Sequence, residues 1–206
     1  MTRYAPVELL TANHDRSTFD CGSPDQTSWL RRFALIAQQA DTARVYVACR
    51  TGESEVVGYY ALTAGSVHPD AASARLGSGA GRHPIPVVIL ARLGVDLVEQ
   101  GHGLGTALVR DALLQTSSVA DRIGVRALLI HAESPMAAAF YTRFDAALEP
   151  SPTDPLHLVL LLKNIRAGIR KATLVARQPG RDDPAVRDGL QQDRHPRVAR
   201  PDRSGA

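Results

Sequence analysis

The stretch VDLVEQGHGLGTALVRDALLQ (residues 95–115) decides the fold. Within it, Gly101, Gly103 and Gly105 separate an apolar run from a helical pattern. The N-terminus of a helix exposes unpaired backbone N–H groups and a partial positive charge, so it can bind a phosphate. Glycines at such a junction let a ligand approach the backbone and permit positive φ angles. The stretch therefore predicts a strand, a pyrophosphate-binding loop and a helix.

Three phosphate-binding motifs compete for this loop. A P-loop requires Gly-Lys-Ser/Thr, and the stretch contains no lysine. A dinucleotide fingerprint counted from Gly101 has Thr106 where its last glycine belongs. The pattern Q/R-x-x-G-x-G/A is matched in full by residues 100–105, and it resembles the acyl-CoA loop of the GNAT N-acetyltransferases. A tight turn that binds no ligand stays open as the alternative at this point.

The rest of the sequence alternates between strand and helix patterns. Ser23 and Ser134, each followed by proline, are typical of helix N-caps. We predict an α/β (α+β) domain with a single mixed central sheet flanked by helices. Helix 22–40 should bury an apolar face formed by Trp29, Phe33, Ile36 and Ala40. The predicted order is strand 7–11, helix 22–40, a hairpin of strands 44–50 and 55–67, strand 87–95, helix 103–124, strand 125–133, helix 134–144 and strand 155–165.

Composition sets the broad class of the protein. The 206 residues are 44% hydrophobic, which suits one domain with a core. No apolar run is long enough to span a membrane, and the start resembles no signal peptide, so we expect a cytoplasmic protein. The net charge of +3 comes from residues 171–206, with eight basic and five acidic side chains. We assign 1–170 to the folded domain and 171–206 to a disordered tail.

Five further stretches carry a more specific resemblance. Together with the glycine loop, they resemble the GNAT toxins of bacterial type II toxin–antitoxin pairs over residues 4–165. One departure is the sequence FDA at 144–146, where the family tends to have Phe-Gly-Phe. The stretches are HDRSTFDCG (14–22), WLRRFA (29–34), VVGYYALTAG (56–65), PIPVVILARLGVD (84–96) and FYTRF (140–144).

This resemblance implies a fold, a reaction and partners. Such toxins use acetyl-CoA, without a metal, to acetylate the α-amino group of aminoacyl-tRNA, and they thereby stop translation. The implied protein partner is a ribbon-helix-helix antitoxin, and we further expect a homodimer without membrane association. The fourth strand would hold the thioester and the glycine loop the pyrophosphate. The expected acetyl-CoA residues are Leu93, Gly94, Val95, Gln100, Gly101, His102, Gly103, Leu104, Gly105, Thr106 and Phe140.

Tyr141 is the candidate catalytic residue. Ala137 and Ala138 precede it by four and three positions on the same helical face, which leaves room for a thiol beside its hydroxyl. A phenol with a pKa of about 10 is protonated at neutral pH and can donate to a departing thiolate. The resemblance implies the same role. The alternative is a structural tyrosine at the boundary of the core.

A general base is harder to find. No Asp or Glu lies between Asp70 and Asp96, so the fourth strand offers no carboxylate. A lysine acceptor, with a pKa of about 10.4, would need a base, whereas an α-amine with a pKa of about 7.7–8.0 is already partly neutral. The sequence therefore favours an α-amine acceptor. His131 and Glu133 remain open as bases or water-binding residues, and a structural role for each is the alternative.

Arginines are the candidates for tRNA contact. Guanidinium groups bind phosphates well, and ordinary solvated arginines are the alternative reading for each of them. The neutral charge of residues 1–170 argues mildly against tRNA. An acetyltransferase for protein N-termini or small amines, and a CoA-binding module without catalysis, are therefore kept as competing functions. The candidate tRNA residues are Arg31, Arg32, Arg75, Arg82 and Arg92.

Overall fold

A seven-stranded mixed sheet organises the computed structural model, which describes residues 3–79 and 81–176. The strand order is β1-β2-β3-β4-β5-β7-β6. Only β4 and β5 pair in parallel among these strands, and the mixed sheet predicted from the sequence is confirmed. The strands are β1 Glu8–Leu9, β2 Arg44–Cys49, β3 Val56–Val67, β4 Ile85–Val95, β5 Ala127–His131, β6 Glu149–Pro150 and β7 His157–Leu161.

Six α-helices accompany these strands in the described residues. Ser23 and Ser134 cap α1 and α5 as predicted, since each side chain accepts a hydrogen bond from a backbone N–H three residues later. Proline follows each cap at the first helical position, where its missing N–H costs nothing. The helices are α1 Pro24–Arg32, α2 Ala34–Gln39, α3 Ala74–Gly77, α4 Leu104–Ala120, α5 Pro135–Phe144 and α6 Leu162–Ala176.

The pairing of β4 changes along its length. Towards β5 the ladder ends at Leu90↔Ile130, whereas towards β3 it continues to Val95. The β3–β4 register shifts after Ala61, so that Ala91 is an extra residue of β4. A bulge of this kind bends a strand and re-aims its end. Among the strands described, the last residues of β4 therefore pair with β3 on one side and with no strand on the other.

Apolar side chains cover both faces of the sheet. On one face, Leu104 and Leu108 of α4 pack with core residues of β3, β4 and β5. Gly58 on β3 allows these leucines to pack closely, because a Cβ at this position would lie 3.0 Å from both of them. On the other face, Leu30 and Ala34 pack on β2 and β3. The end of β4 therefore lies between a layer formed by α4 on one face and a layer formed by α1 and α2 on the other.

The predicted apolar face of helix 22–40 is wrong at Phe33 and Ile36, whereas Trp29 is partly buried and packs against the core. Phe33 is 53% exposed and Ile36 is 61% exposed, whereas Leu30 and Ala34 are fully buried. The cause is a break at Phe33, which caps α1 and separates it from α2. A single helical period across residues 22–40 therefore assigned the wrong side chains to the core.

The end of the described chain also differs from the prediction. The strand predicted over 155–165 ends at Leu161, and α6 follows directly and reaches Ala176. The first six residues of the predicted disordered tail are thus helical, and Ala, Leu and Lys in this segment are good helix formers. The rest of that tail, 177–206, lies outside the described residues. The chain divides into the units Met1–Ile169 and Arg170–Ala206. Within the described residues, no helix is long and apolar enough to cross a membrane.

Candidate acetyl-CoA site

A cavity of about 540 Å³, called the main cavity below, lies where the end of β4 meets the glycine loop. Most of the residues predicted for acetyl-CoA line it, although they come from β4, the loop, α4 and α5. The sequence-predicted residues among its walls are Leu93, Gly94, Val95, Gln100, Gly101, Gly103, Gly105, Thr106 and Phe140.

Two predicted residues, His102 and Leu104, are not among the walls of the main cavity. Leu104 is buried in the core beneath the loop. Its side chain fills the space that a Cβ on Gly58 would need. His102 is exposed at the tip of the loop. An alternating pattern explains both positions: the glycines line the cavity, and the side chains between them point elsewhere.

The glycine loop requires glycine for its backbone conformation. Gly101 and Gly103 have φ angles of 79° and 84°, a region that side chains with a Cβ rarely adopt. Gly103 is the N-cap of α4, and no side chain caps this helix. A Cβ at either glycine would meet nothing within 4 Å. The first backbone N–H groups of α4 thus remain open to an anion, as a pyrophosphate cradle requires.

Gln100 holds the loop in place through its side chain. The Nε2 amide donates to the carbonyl oxygens of Val95, at 3.1 Å, and Cys21, at 3.2 Å. These bonds join the loop to the end of β4 and to the segment before α1. The glutamine of the motif therefore acts on the loop itself, and this use of the side chain cannot be read from the pattern.

Glu99 is a wall residue that sequence reasoning missed. It is 2% exposed and accepts hydrogen bonds from the Tyr4 hydroxyl at 2.7 Å and from Arg50 Nε at 2.8 Å. Arg3 adds an ion pair at 2.8 Å. The hydrogen bond from Tyr4, followed by that from Arg50, lowers the pKa of Glu99. Its partners are 49 and 95 residues away in the sequence, so no local motif could have revealed them.

The strand end opposite the loop supplies the other wall. Leu93, Gly94 and Val95 line the cavity beyond the point where β4 and β5 stop pairing. Gly94 is required for packing, because a Cβ there would lie 2.8 Å from the ring of Tyr59. The backbone of this strand end is consequently available to hydrogen-bond a ligand that lies along it.

Tyr141 lies behind the cavity wall. It is 6% exposed, is not among the lining residues, and packs edge-to-face on Phe140 with the ring centroids 5.2 Å apart. Burial, and then the charge of Glu133, raises the pKa of Tyr141. The phenol therefore stays protonated across the physiological range. Phe140 itself lines the cavity. Its ring lies 3.5 Å from the position that a Cβ on Gly105 would take.

The segment before α1 and the end of β5 complete the walls. Ser23 Oγ donates a hydrogen bond of 2.5 Å to Glu133 Oε1 across the cavity. Cys21 and Gln26 also line it, and Gln26 accepts a hydrogen bond from the Tyr59 hydroxyl at 3.0 Å. Sequence reasoning missed Cys21, Ser23 and Gln26 as wall residues. Their nearest signal was the stretch HDRSTFDCG, which ends beside Ser23.

His131, the other candidate base, does not line the main cavity. It lies in a second, smaller cavity on β5 and stacks on His157 with ring centroids 4.1 Å apart. Burial, and then the neighbouring His157, lowers the pKa of His131. Of the two candidate bases, the main cavity thus contains Glu133 alone. No group of three His, Cys, Asp or Glu residues in the described part of the chain could hold a metal ion.

The arginine candidates fall into different environments. Arg31 and Arg32 are exposed at the end of α1, and Arg82 is exposed in the loop before β4. Arg75 forms an ion pair with Glu149, so its charge is compensated. Arg92 is half-buried over the ring of Trp29, 5.5 Å from its centroid.

Comparison with known proteins identifies the family. No protein-family model matches the sequence. A protein of Mycobacterium tuberculosis named tRNA-acetylating toxin is 44% identical over 167 residues, which is 81% of this chain and 98% of that protein. This chain is a member of the GNAT toxin family. The resemblance seen in the sequence is thereby confirmed.

Solved GNAT toxins share the fold of this chain. The toxin AtaT complexed with acetyl-methionyl-tRNAfMet is 27% identical with a TM-score of 0.73, over 81% of this chain and 99% of that one. A mutant AtaT bound to the C-terminus of the antitoxin AtaR and to acetyl-CoA is 26% identical with a TM-score of 0.67, over 81% and 97%. The central sheet and the glycine loop of this GNAT toxin thus belong to an acetyltransferase fold.

Proposed function

We propose that this chain transfers the acetyl group of acetyl-CoA to the α-amino group of aminoacyl-tRNA and so inhibits translation. The observation that carries the proposal is the 44% identity to a tRNA-acetylating toxin over nearly the whole length of that toxin. The main cavity supports it, because it offers a phosphate cradle and a strand end in one space.

The chain's own residues suggest how acetyl-CoA is held. The open N–H groups at the start of α4, over Gly101 and Gly103, suit the pyrophosphate. The backbone of Leu93, Gly94 and Val95 suits the thioester arm, and an N–H there would donate to the acetyl carbonyl oxygen as negative charge develops on it. Gly105, Thr106 and Phe140 would enclose the arm between these two points.

Tyr141 is proposed as the general acid. The neutral α-amine forms a bond to the acetyl carbon while the carbon–sulfur bond breaks. Tyr141 donates its proton to the departing sulfur, and the proton shed by the amine nitrogen returns to Tyr141 through water. The raised pKa of Tyr141 keeps the phenol protonated at neutral pH, and it also makes the phenol a weaker acid than a solvent-exposed tyrosine.

The tRNA would bind on exposed arginines. Arg31 and Arg32 at the end of α1, and Arg82 before β4, carry charges that no ion pair compensates among the described residues. Arg92 and Trp29 could contact the acceptor end by stacking and charge. Arg75 is the weakest candidate, because its charge is already paired with that of Glu149.

Partners and location follow from the same reaction. Charged tRNA is a cytoplasmic molecule, so the chain would act in the cytoplasm. A toxin of this kind needs a protein that masks it, and we propose a ribbon-helix-helix antitoxin for that role. The predicted homodimer stays a prediction. Residues 1–170 are proposed as the acetyltransferase domain.

The deciding experiment supplies the purified chain with radiolabelled acetyl-CoA and either charged or uncharged tRNA. Charged tRNA should be labelled and uncharged tRNA should not, because only the charged form offers an α-amine. Labelling of protein N-termini or small amines instead would replace tRNA as the substrate. Cofactor binding without any transfer would indicate a binding module and overturn the enzymatic proposal.

A further inference from the structure

Glu133 joins two helix starts at the wall of the main cavity. Its Oε1 accepts the 2.5 Å hydrogen bond from Ser23, which caps α1, and it directly precedes Ser134, which caps α5. Helix N-termini attract carboxylates, which gives a physical reason for this position. The contact joins residues 110 positions apart, so it fixes the carboxylate at a place defined by the tertiary structure alone.

Among the described residues, Glu133 has no cationic side chain as a partner. The titratable side chains that line the cavity are Cys21, Glu99 and Glu133. Glu99 is neutralised by Arg3 and Arg50, whereas Glu133 has no ion-pair partner within residues 3–79 and 81–176. The cavity therefore presents one carboxylate that is free to bind a cation.

This carboxylate also acts on the proposed reaction centre. Its charge contributes to the raised pKa of Tyr141, after burial, and to that of Tyr59. Glu133 and Phe140, the sequence neighbour of Tyr141, line the same cavity, so the carboxylate lies on the side of the cavity where the proposed proton donor packs. At pH 7 an α-amine with a pKa of about 7.7–8.0 is mostly an ammonium ion. The acceptor thus arrives at this centre carrying a positive charge.

We propose that Glu133, oriented by Ser23, forms an ammonium subsite that binds the protonated α-amino group of the acceptor. The inference rests on the proposed function and names the residue that selects an amine there. A carboxylate already held by one hydrogen bond loses little freedom when it binds an ammonium group. The amine then gives its proton to water before attack. Glu133 therefore strengthens acceptor binding and leaves the chemical step to other groups.

The test measures steady-state acetylation of charged tRNA by the full chain and by Glu133→Gln. Glutamine still accepts the hydrogen bond from Ser23, so the change removes charge and keeps the contact. Because Glu133 is exposed, the KM for charged tRNA should rise by about 2- to 5-fold, the range for an ion pair of an exposed carboxylate. The kcat should not fall, and the KM for acetyl-CoA should not change.

A matched control is Asp41→Asn. Asp41 has a φ of 58° in the turn after α2, a region that asparagine also adopts, and it pairs with Arg44 away from the cavity. This variant also removes one negative charge. Because that charge lies away from the cavity, the KM for charged tRNA should equal that of the unmodified chain. Ser23→Ala leaves the charge and releases the carboxylate, and its KM should lie between the two.

The pH dependence separates this role from a purely structural one. In the unmodified chain, the KM for charged tRNA should rise as pH increases through the pKa of the amine, about 7.7–8.0. Glu133→Gln should lack that rise. A tRNA charged with an α-hydroxy acid, which cannot become an ammonium ion, should inhibit both proteins with the same constant.

Three results would overturn the inference. A fall in kcat at constant KM would place Glu133 in the chemical step, and unchanged kinetics would remove it from the site. In both cases the proposed function stands, because the unmodified chain still acetylates charged tRNA. Failure of the unmodified chain to acetylate charged tRNA would remove the proposed function itself, and the inference with it.

Discussion

The side-chain amide of Gln100 donates a hydrogen bond to the carbonyl oxygen of Val95, with the nitrogen and oxygen 3.1 Å apart. This bond joins the proposed pyrophosphate loop to the strand end proposed for the thioester. The same amide reaches Cys21, so one side chain connects three segments of the cavity wall. Gln100 consequently fixes the two halves of the proposed acetyl-CoA site relative to each other.

Replacing Gln100 with leucine should weaken acetyl-CoA binding. The loop would lose two hydrogen bonds, each contributing about 0.5–1.5 kcal/mol, so the Kd should increase by about 10-fold. Isothermal titration calorimetry measures the change. Gln39→Leu, at an exposed position of α2, is the control and should bind as before. An unaltered Kd in the Gln100 variant would show that the loop holds its shape without this side chain.

Gly103→Val should abolish acetyl-CoA binding while the protein stays folded. A β-branched residue at a φ of 84° is strained, and its side chain would cover the N–H groups at the start of α4. Gly52→Val is the control, because Gly52 has a φ of 85° in the β2–β3 turn and is equally open. Both variants should lose about 1–2 kcal/mol of stability. Only the first should lose affinity, and equal affinities would remove the loop from the cofactor site.

Tyr141→Phe should reduce kcat by about 100- to 10,000-fold, because it deletes one general acid and keeps the ring. The Kd for acetyl-CoA should not change. A raised pKa means that the acid stays protonated further into the alkaline range, so the activity should persist above pH 9 with no tyrosine limb. Tyr46→Phe, whose hydroxyl contacts Gln115 away from the main cavity, is the control. Full activity in the Tyr141 variant would leave the reaction intact and assign the proton to another group.

Glu99→Gln should destabilise the fold by about 1–3 kcal/mol, because a buried carboxylate with charged partners is lost. Since the pKa of Glu99 is lowered in the folded state, its contribution is present above the unfolded value of about 4.3 and is lost as pH falls through the folded value. Urea unfolding at several pH values should show a smaller acid loss in the variant. Glu53→Gln removes a half-exposed partner of Arg50 and should change the unfolding free energy little.

A chain that ends after Ala176 should keep its rate of acetyl transfer. Residues 177–206 contain few large apolar side chains, and they lie beyond the resemblance over 4–165. The measurement is kcat/KM with charged tRNA for the full and shortened chains. If the shortened chain folds but acetylates slowly, the arginines after Ala176 are part of the tRNA-binding surface.

Local demands explain what the sequence by itself determined. The turn at Gly101 and Gly103 needs positive φ angles, and Ser23 and Ser134 satisfy the first N–H groups of their helices, so each feature is readable from a few adjacent residues. The apolar runs predicted most of the strands for the same reason, because each run is a local feature of the sequence. The glycine loop, its helix and the candidate Tyr141 could all be named from the sequence before the fold was known.

Only the tertiary structure decided which distant side chains meet. Glu99 depends on Tyr4 and Arg50, and Glu133 on Ser23, across 49 to 110 positions of sequence. It also decided that α1 ends at Arg32, so that the cap residue Phe33 is exposed although the helical period assigns it to the core. The physical reason is that burial and charge compensation are properties of neighbours in space, and the chain brings those neighbours together only when the sheet has formed.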